Sequence, residues 1–342
     1  MSCTCFFIPK DILEKLAKDP DLSKELRKAF QHSNQISVEL RKMRTGALSL
    51  TKKARMVAPF PEALASFPSV TIFDCKHLQT LPGIPLSNPV QSGDSSALRA
   101  FKKTTAVANF FQKVFGRNSI DGAGMTMMSS IHFGVNHNNA IWNGSQMIYG
   151  DGDNQIFIDF TNGSDVISHE LTHGFTQHTL QLGYTGEAGG LNESISDCFG
   201  AMFRQWEANQ DINHTDWLIG HDILGPVARA KDYTCLRNMA NPSDPHCIAP
   251  QPMKYSQITP NMKPHYSSGP PNHAFYLACK LVGGKSWEKV GKIWYLAITD
   301  GANPRMKMKE FADRTRNLAS QNDTAIPGVA VAVDKAWKHV EL

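Results

Sequence analysis

The chain has 342 residues, 41% hydrophobic and 19% charged, with a formal charge of +4. That length is enough for two domains with real cores, and no low-complexity tract or internal repeat interrupts it. No run of 18 apolar residues occurs, which excludes a helical membrane span.

Met1 to Pro9 holds a brief apolar run with no positive segment before it and Lys10-Asp11 directly after, so no signal peptide is expected. Seven cysteines, at 3, 5, 75, 198, 235, 247 and 279, form an odd, scattered set that argues for a reducing compartment over a disulfide framework. Cys235 and Cys247 bracket a polar, Pro-containing loop and are a pair able to bridge under oxidising conditions. The expected location is cytoplasmic, or exported without a standard signal peptide.

Residues 1–60 carry twelve Lys or Arg against six Asp or Glu, a local +6, which leaves the other 282 residues at −2. Extension and body are thus expected to attract each other. A basic arm also suits nucleic acid or a membrane surface, but Ile12, Leu13, Leu16 and Ala17, then Leu22, Leu26 and Phe30, follow helical spacing better suited to docking on protein. We therefore expect no nucleic-acid and no membrane partner. The Pro- and Ala-rich stretch Ala54 to Pro68 reads as a linker open to cleavage.

Leu98 to Phe115 has helical spacing and ends at Gly116. Strands are predicted at Ser129–Phe133 and Gln155–Phe160, and Asn143-Gly144 signals a turn between Ala140–Trp142 and Ser145–Tyr149. Beyond Gly183 the pattern is helical, at 191–209, 272–284, 286–300, 306–321 and 326–339.

Between these halves lies His169-Glu170-Leu171-Thr172-His173. Histidines four apart project from one helix face, so two imidazoles can reach one metal ion with Glu170 beside it. A bare five-residue match is as often a surface helix, but Val166, Ile167, Leu171 and Phe175 make this helix apolar and buried, where unpartnered histidines are costly. Zinc takes neutral imidazole and needs a third protein ligand. Downstream, Gly190-Leu-Asn-Glu193-Ser-Ile-Ser-Asp197 puts Glu193 and Asp197 on one face, as third ligand and as acceptor for a ligand histidine's far nitrogen.

These two motifs together resemble the thermolysin family of zinc endopeptidases, from about Leu81 to near the C-terminus, and Phe7-Ile8-Pro9 is similar to the opening of its protealysin-type branch with a short prosegment. The resemblance implies an α+β, two-lobe fold: a basic helical prosegment and linker at 1–60, a β-rich catalytic lobe with the zinc helix at 61–180, and an α-helical lobe at 181–342. It implies Glu170 as general base, Tyr184 and His265 as oxyanion donors, Asn139 and Ala140 as backbone partners of an extended substrate, and Arg237 as the donor to a substrate carbonyl. Where the family has an aspartate orienting the histidine, Pro260 to Pro264 offers no carboxylate. Asp165 stands at a calcium position of the larger members, but Arg204, Leu218 and His221 replace the other carboxylates, so calcium is expected to be absent or weakly bound, with Arg204 paired directly to Asp165.

The expected function is therefore zinc-dependent cleavage of internal peptide bonds on the amino side of bulky hydrophobic residues, by a monomer made as an autoinhibited precursor. Its partners are peptide or protein substrates and its own prosegment, with Cys3 or Cys5 able to reach the zinc. The alternatives are a catalytically quiet peptide- or partner-binding pseudo-peptidase and a metal-dependent amidase or aminopeptidase.

Overall fold

In the computed structural model, residues 5–51 and 69–342 are described, with side chains in the first stretch described to residue 40. The chain opens with strand β1 (Cys5–Phe6), helix α1 (Lys10–Leu16) and helix α2 (Lys24–Thr51). Ile12, Leu13 and Leu16 face inward, as their spacing predicts. The linker and most of the expected cleavage region fall outside the described residues.

β2 (Val70–Asp74), β3 (Ile84–Pro85), β4 (Met127–Ile131), β5 (Ala140–Trp142) and β6 (Met147–Tyr149) join β1 in one sheet, ordered β1-β5-β6-β4-β2-β3. The N-terminal extension thus supplies the sheet's edge, with Cys5 opposite Trp142 and Phe6 opposite Ile141 in antiparallel register. β5 and β6 form the hairpin expected at Asn143-Gly144.

Helix α3 (Ser95–Phe115) is capped by the Asp94 carboxylate, which accepts from the Ser96 and Ala97 N–H groups. It stops at Gly116, whose φ of 67° is the left-handed conformation that glycine adopts freely. Phe110 and Phe111 of α3 pack on Phe175, Phe199 and Phe203, so this helix braces the two that carry the metal motifs. Those two are α4 (Ser164–His178) and α5 (Gly186–Glu207). They approach so closely at Gly200 that an added Cβ would lie 2.9 Å from the Asp165 carbonyl oxygen.

The predicted strand at 155–160 does not form. Asp153 Oδ1 accepts from the N–H groups of Gln155, Ile156 and Phe157 at 2.8, 2.7 and 3.3 Å, which bends the chain into a turn. Only an isolated bridge, Phe157 to Leu224, remains there. After α5 the chain makes a short ribbon, β7 (Leu218–Ile219) against β8 (Arg237–Asn238), with α6 (Pro226–Ala230) between them. The ribbon lies between the predicted helices at 191–209 and 272–284, where no element is predicted. Helices α7 (Pro264–Ser267), α8 (Gly269–Val282), α9 (Val290–Thr299), α10 (Met308–Asn322) and α11 (Val329–His339) complete the second lobe, close to the predicted helices.

Half of the basic residues behind the charge argument for docking the extension, at 41, 42, 44, 52, 53 and 55, lie outside the described side chains. Among the described residues, the ion pairs joining it to the body run the other way: Asp19 and Asp21 to Lys231 at 3.3 and 3.4 Å, and Asp11 to Lys263 at 3.1 Å. What holds it is apolar burial of Phe6, Phe7, Ile8, Ile12, Leu13, Leu16, Phe30 and Ile36.

His132 ties the end of β4 to the α3 cap, with Nδ1 2.8 Å from Asp151 Oδ1 and Nε2 2.8 Å from Asp94 Oδ2. The Asp151 hydrogen bond, reinforced by Asp94, raises its pKa from 6.5 to about 9. A raised pKa means the stabilisation is whole below pH 6.5 and lost as pH rises through about 9. We expect the melting temperature to fall across this window by the equivalent of about 2 kcal/mol, the gross shift being discounted for partial exposure. His132→Asn should remove that slope; an identical pH profile in the variant would refute the assignment.

Candidate active site

The metal motif sits on α4, whose residues Ser164 to Thr176 are all buried. His169 Nε2 and His173 Nε2 lie 3.1 Å apart, near the spacing of about 3.3 Å that follows from two zinc–nitrogen bonds at a tetrahedral angle. Glu193 of α5 brings Oε2 within 3.5 Å of the first and Oε1 within 3.8 Å of the second. His169, Glu170 and His173 also present ligand atoms within 4.8 Å of one another. Either carboxylate could complete the donor set: Glu193 faces both ring nitrogens, while Glu170 uses Oε2 to accept from the Trp142 N–H at 2.8 Å.

The donor set fits a cation. Glu193 Oε2 and Glu170 Oε1 are buried with no hydrogen-bond partner, an arrangement that costs free energy unless positive charge faces it. The far nitrogens of both histidines are occupied, as in sites where outer groups fix the tautomer. His169 Nδ1 donates to Asp197 Oδ1 at 2.9 Å, and His173 Nδ1 faces Asn192 Oδ1, Ser196 Oγ and the Tyr184 hydroxyl at 2.9 to 3.0 Å. Burial lowers the His173 pKa to about 3 and raises that of Glu170 to about 8. Burial opposes charge on Asp197 as well, but the Arg237 guanidinium and His169 hold its carboxyl well below the usual range.

Asp197 therefore does more than the sequence implied. Arg237, 1% exposed, grips it with Nε at 2.8 Å and Nη2 at 2.7 Å, and Asn272 Nδ2 donates to it at 2.9 Å. Arg237 Nη1 remains buried without a partner. Sequence reading missed Asn192, although it adjoins Glu193, and Asn272, for which the sequence carries no signal.

Residues 5–8 run through this site. His265 Nε2 donates to the Phe6 carbonyl at 2.8 Å and lies 3.3 Å from Glu193 Oε2. The Phe7 N–H donates to the Ala140 carbonyl at 3.0 Å. Asn139 clasps Ile8, its Oδ1 accepting from the Ile8 N–H at 2.8 Å and its Nδ2 donating to the Ile8 carbonyl at 3.1 Å. The buried Phe7 ring meets His169 edge-on at 5.1 Å with the Arg237 guanidinium over it, also at 5.1 Å. The Cys5 thiol donates to the Tyr184 hydroxyl; Cys3 lies outside the described residues.

One expected contact is absent. Arg204 does not pair with Asp165: its guanidinium binds Asp216 at 2.7 and 3.1 Å and nears Asp222 at 3.4 Å. Asp165 accepts instead from the N–H groups of Gly220 at 2.6 Å and Val166 at 3.0 Å. The β7–β8 ribbon brings those alternatives close, and the arginine reaches Asp165 through its field alone.

Two family models match: thermolysin metallopeptidase, catalytic domain, over residues 85–177, and its alpha-helical domain over 181–342. An extracellular metalloprotease of Pectobacterium carotovorum subsp. carotovorum is 38% identical, covering 79% of this chain and 80% of its own. Protease PrtS of a Photorhabdus species is 37% identical over 79% and 75%. In three dimensions the chain is similar to the precursor of protealysin, a metalloproteinase from Serratia proteamaculans, with a TM-score of 0.83, 30% identity, and coverage of 98% and 99%.

Proposed function

We propose, on the premise that this chain belongs to the thermolysin family of zinc metallopeptidases, that it cuts internal peptide bonds on the amino side of bulky hydrophobic residues and is made as an autoinhibited precursor. The observation that carries the reading is the extended path of residues 5–8 along β5: Phe6 offers its carbonyl to His265 while Phe7 fills the apolar pocket beside His169. A substrate adding to an edge strand uses the same main-chain bonds. The bond between Phe6 and Phe7 thus lies where a scissile bond would lie, with a bulky apolar residue after it.

His169, His173 and Glu193 would hold the metal. A bound zinc supplies a Lewis acid and lowers the pKa of the attacking water. Glu170 takes that water's proton and passes it to the leaving nitrogen. His265 and Tyr184 donate to the carbonyl oxygen as it gains charge. Arg237, fixed by Asp197, keeps Nη1 for the carbonyl of the residue after the cut, and Asn139 and Ala140 align the backbone. We assign residues 1–60 to the prosegment and linker, 61–180 to the β-rich lobe with the zinc helix and 181–342 to the helical lobe, in a protein that acts as a monomer. The Pectobacterium relative, named extracellular, supports export.

Digestion of a denatured protein by the full chain and by chain nicked within 52–68 tests this. The nicked form should be the faster, its cuts should precede Phe, Leu or Ile, and chelator should stop it. Chelator-resistant turnover, or cuts without that preference, would overturn the proposal.

Calcium should matter little. Arg204, held by Asp216 and Asp222, places its positive charge in the field of Asp165, where hard calcium needs six to eight oxygens. Millimolar calcium should move the melting temperature by less than about 2 °C; a rise of many degrees would count against this reading.

A further inference from the structure

We propose that Cys235 and Cys247 form a disulfide when the chain is made in the presence of a protein or glutathione disulfide, so that the ribbon carrying Arg237 exists in bridged and unbridged forms. The two sulfurs lie 3.3 Å apart and unbonded. Their backbones already run side by side as an isolated parallel bridge. Hydrogen bonds on both flanks hold them so: Thr234 N–H to the His246 carbonyl, Ile248 N–H to the Cys235 carbonyl and Ala249 N–H to the Leu236 carbonyl, each at 3.0 Å. Paired strands sit about 5 Å apart, inside the Cα span of roughly 4.4–6.8 Å that a disulfide bridges without backbone movement. Among the described residues this is the one pair of thiols in hydrogen-bonding contact.

The chemistry balances as two exchanges. The Cys247 thiolate attacks one sulfur of the oxidant, expelling a thiolate and leaving a mixed disulfide. The Cys235 thiolate then attacks Cys247 Sγ and expels the second thiolate. Two protein thiols are oxidised, one external disulfide is reduced to two thiols, and the protons pass to the leaving sulfurs. Both side chains are at most 2% exposed, and the neighbouring Cys235 with burial pushes the Cys247 thiol far above its ordinary pKa. The Cys247 thiolate is therefore scarce in the folded chain, and both thiols are buried, so the bond forms before the loop 236–246 packs.

Cys235 stands two residues ahead of Arg237, and the Leu236 N–H is bonded to the Ile219 carbonyl at 2.9 Å. The bridge closes the loop next to the arginine that grips Asp197, so it braces the pocket wall as well as the chain.

The test is to make the full chain in an oxidising and in a reducing cell compartment, trap free thiols by alkylation in denaturant, and map the peptides. From the oxidising compartment we expect residues 235 and 247 joined, Cys75, Cys198 and Cys279 alkylated, and a melting temperature roughly 5 °C above the reduced chain. A C235S/C247S chain should melt alike from both sources. Recovery of both cysteines alkylated, or joined to other partners, overturns the proposal, and a bridge without thermal gain overturns the bracing role.

Discussion

Glu170→Gln should lower peptidase activity by about 10³–10⁴-fold while zinc content stays near one per chain. The substitution keeps an oxygen for the Trp142 N–H that Glu170 Oε2 now accepts at 2.8 Å, so the fold has little reason to change. It removes the one group that faces the site with an unpartnered buried oxygen outside the ligand set, Oε1. Metal analysis beside a peptide assay separates the roles: loss of zinc would make Glu170 a ligand, and substantial turnover by the loaded variant would mean another group is the base.

Phe7→Ala in the full chain should release activity. Emptying a pocket of a fully buried phenylalanine costs about 3–5 kcal/mol, and on the docked state alone this weakens the extension's hold by roughly 10²–10⁴-fold. The full-length variant should then approach the rate of nicked enzyme, with its circular dichroism unchanged. A folded variant as quiet as the parent chain would show that the extension does not act through this pocket. Truncation is the poorer test, since the extension contributes Phe30 and Ile36 to the buried core and its loss threatens folding.

The centre of the site was legible because its chemistry is local. His169 and His173 share a face by helix period, and Glu193 and Asp197 repeat the arrangement on the next helix; the structure brings all four together. Long helices were legible for the same reason, with α3 and α5 carrying unbroken apolar stripes. Failures came where a long-range or side-chain contact decides. Apolar alternation at 155–160 said strand, but the single carboxylate of Asp153 captures three consecutive N–H groups. Net charge averaged over sixty residues said basic arm on acidic body, whereas among the described residues the charges of the extension that pair with the body are Asp11, Asp19 and Asp21. Arg204 faced several acceptors, and a sequence does not rank them.

The satellite core of the sheet, Phe6 and Ile36 from the extension with Phe133, Ile141 and Ile148 from the body, has a bearing on handling and storage. Whatever removes the first forty residues bares a strand edge at Ala140–Trp142 and, beside it, the rest of an apolar cluster, the two surface features that most invite chains to stick. The intact chain is therefore the colloidally robust form. Once cut, the protein should be kept dilute or saturated with a short apolar peptide, and light scattering on concentration should climb for the nicked chain well before the intact one.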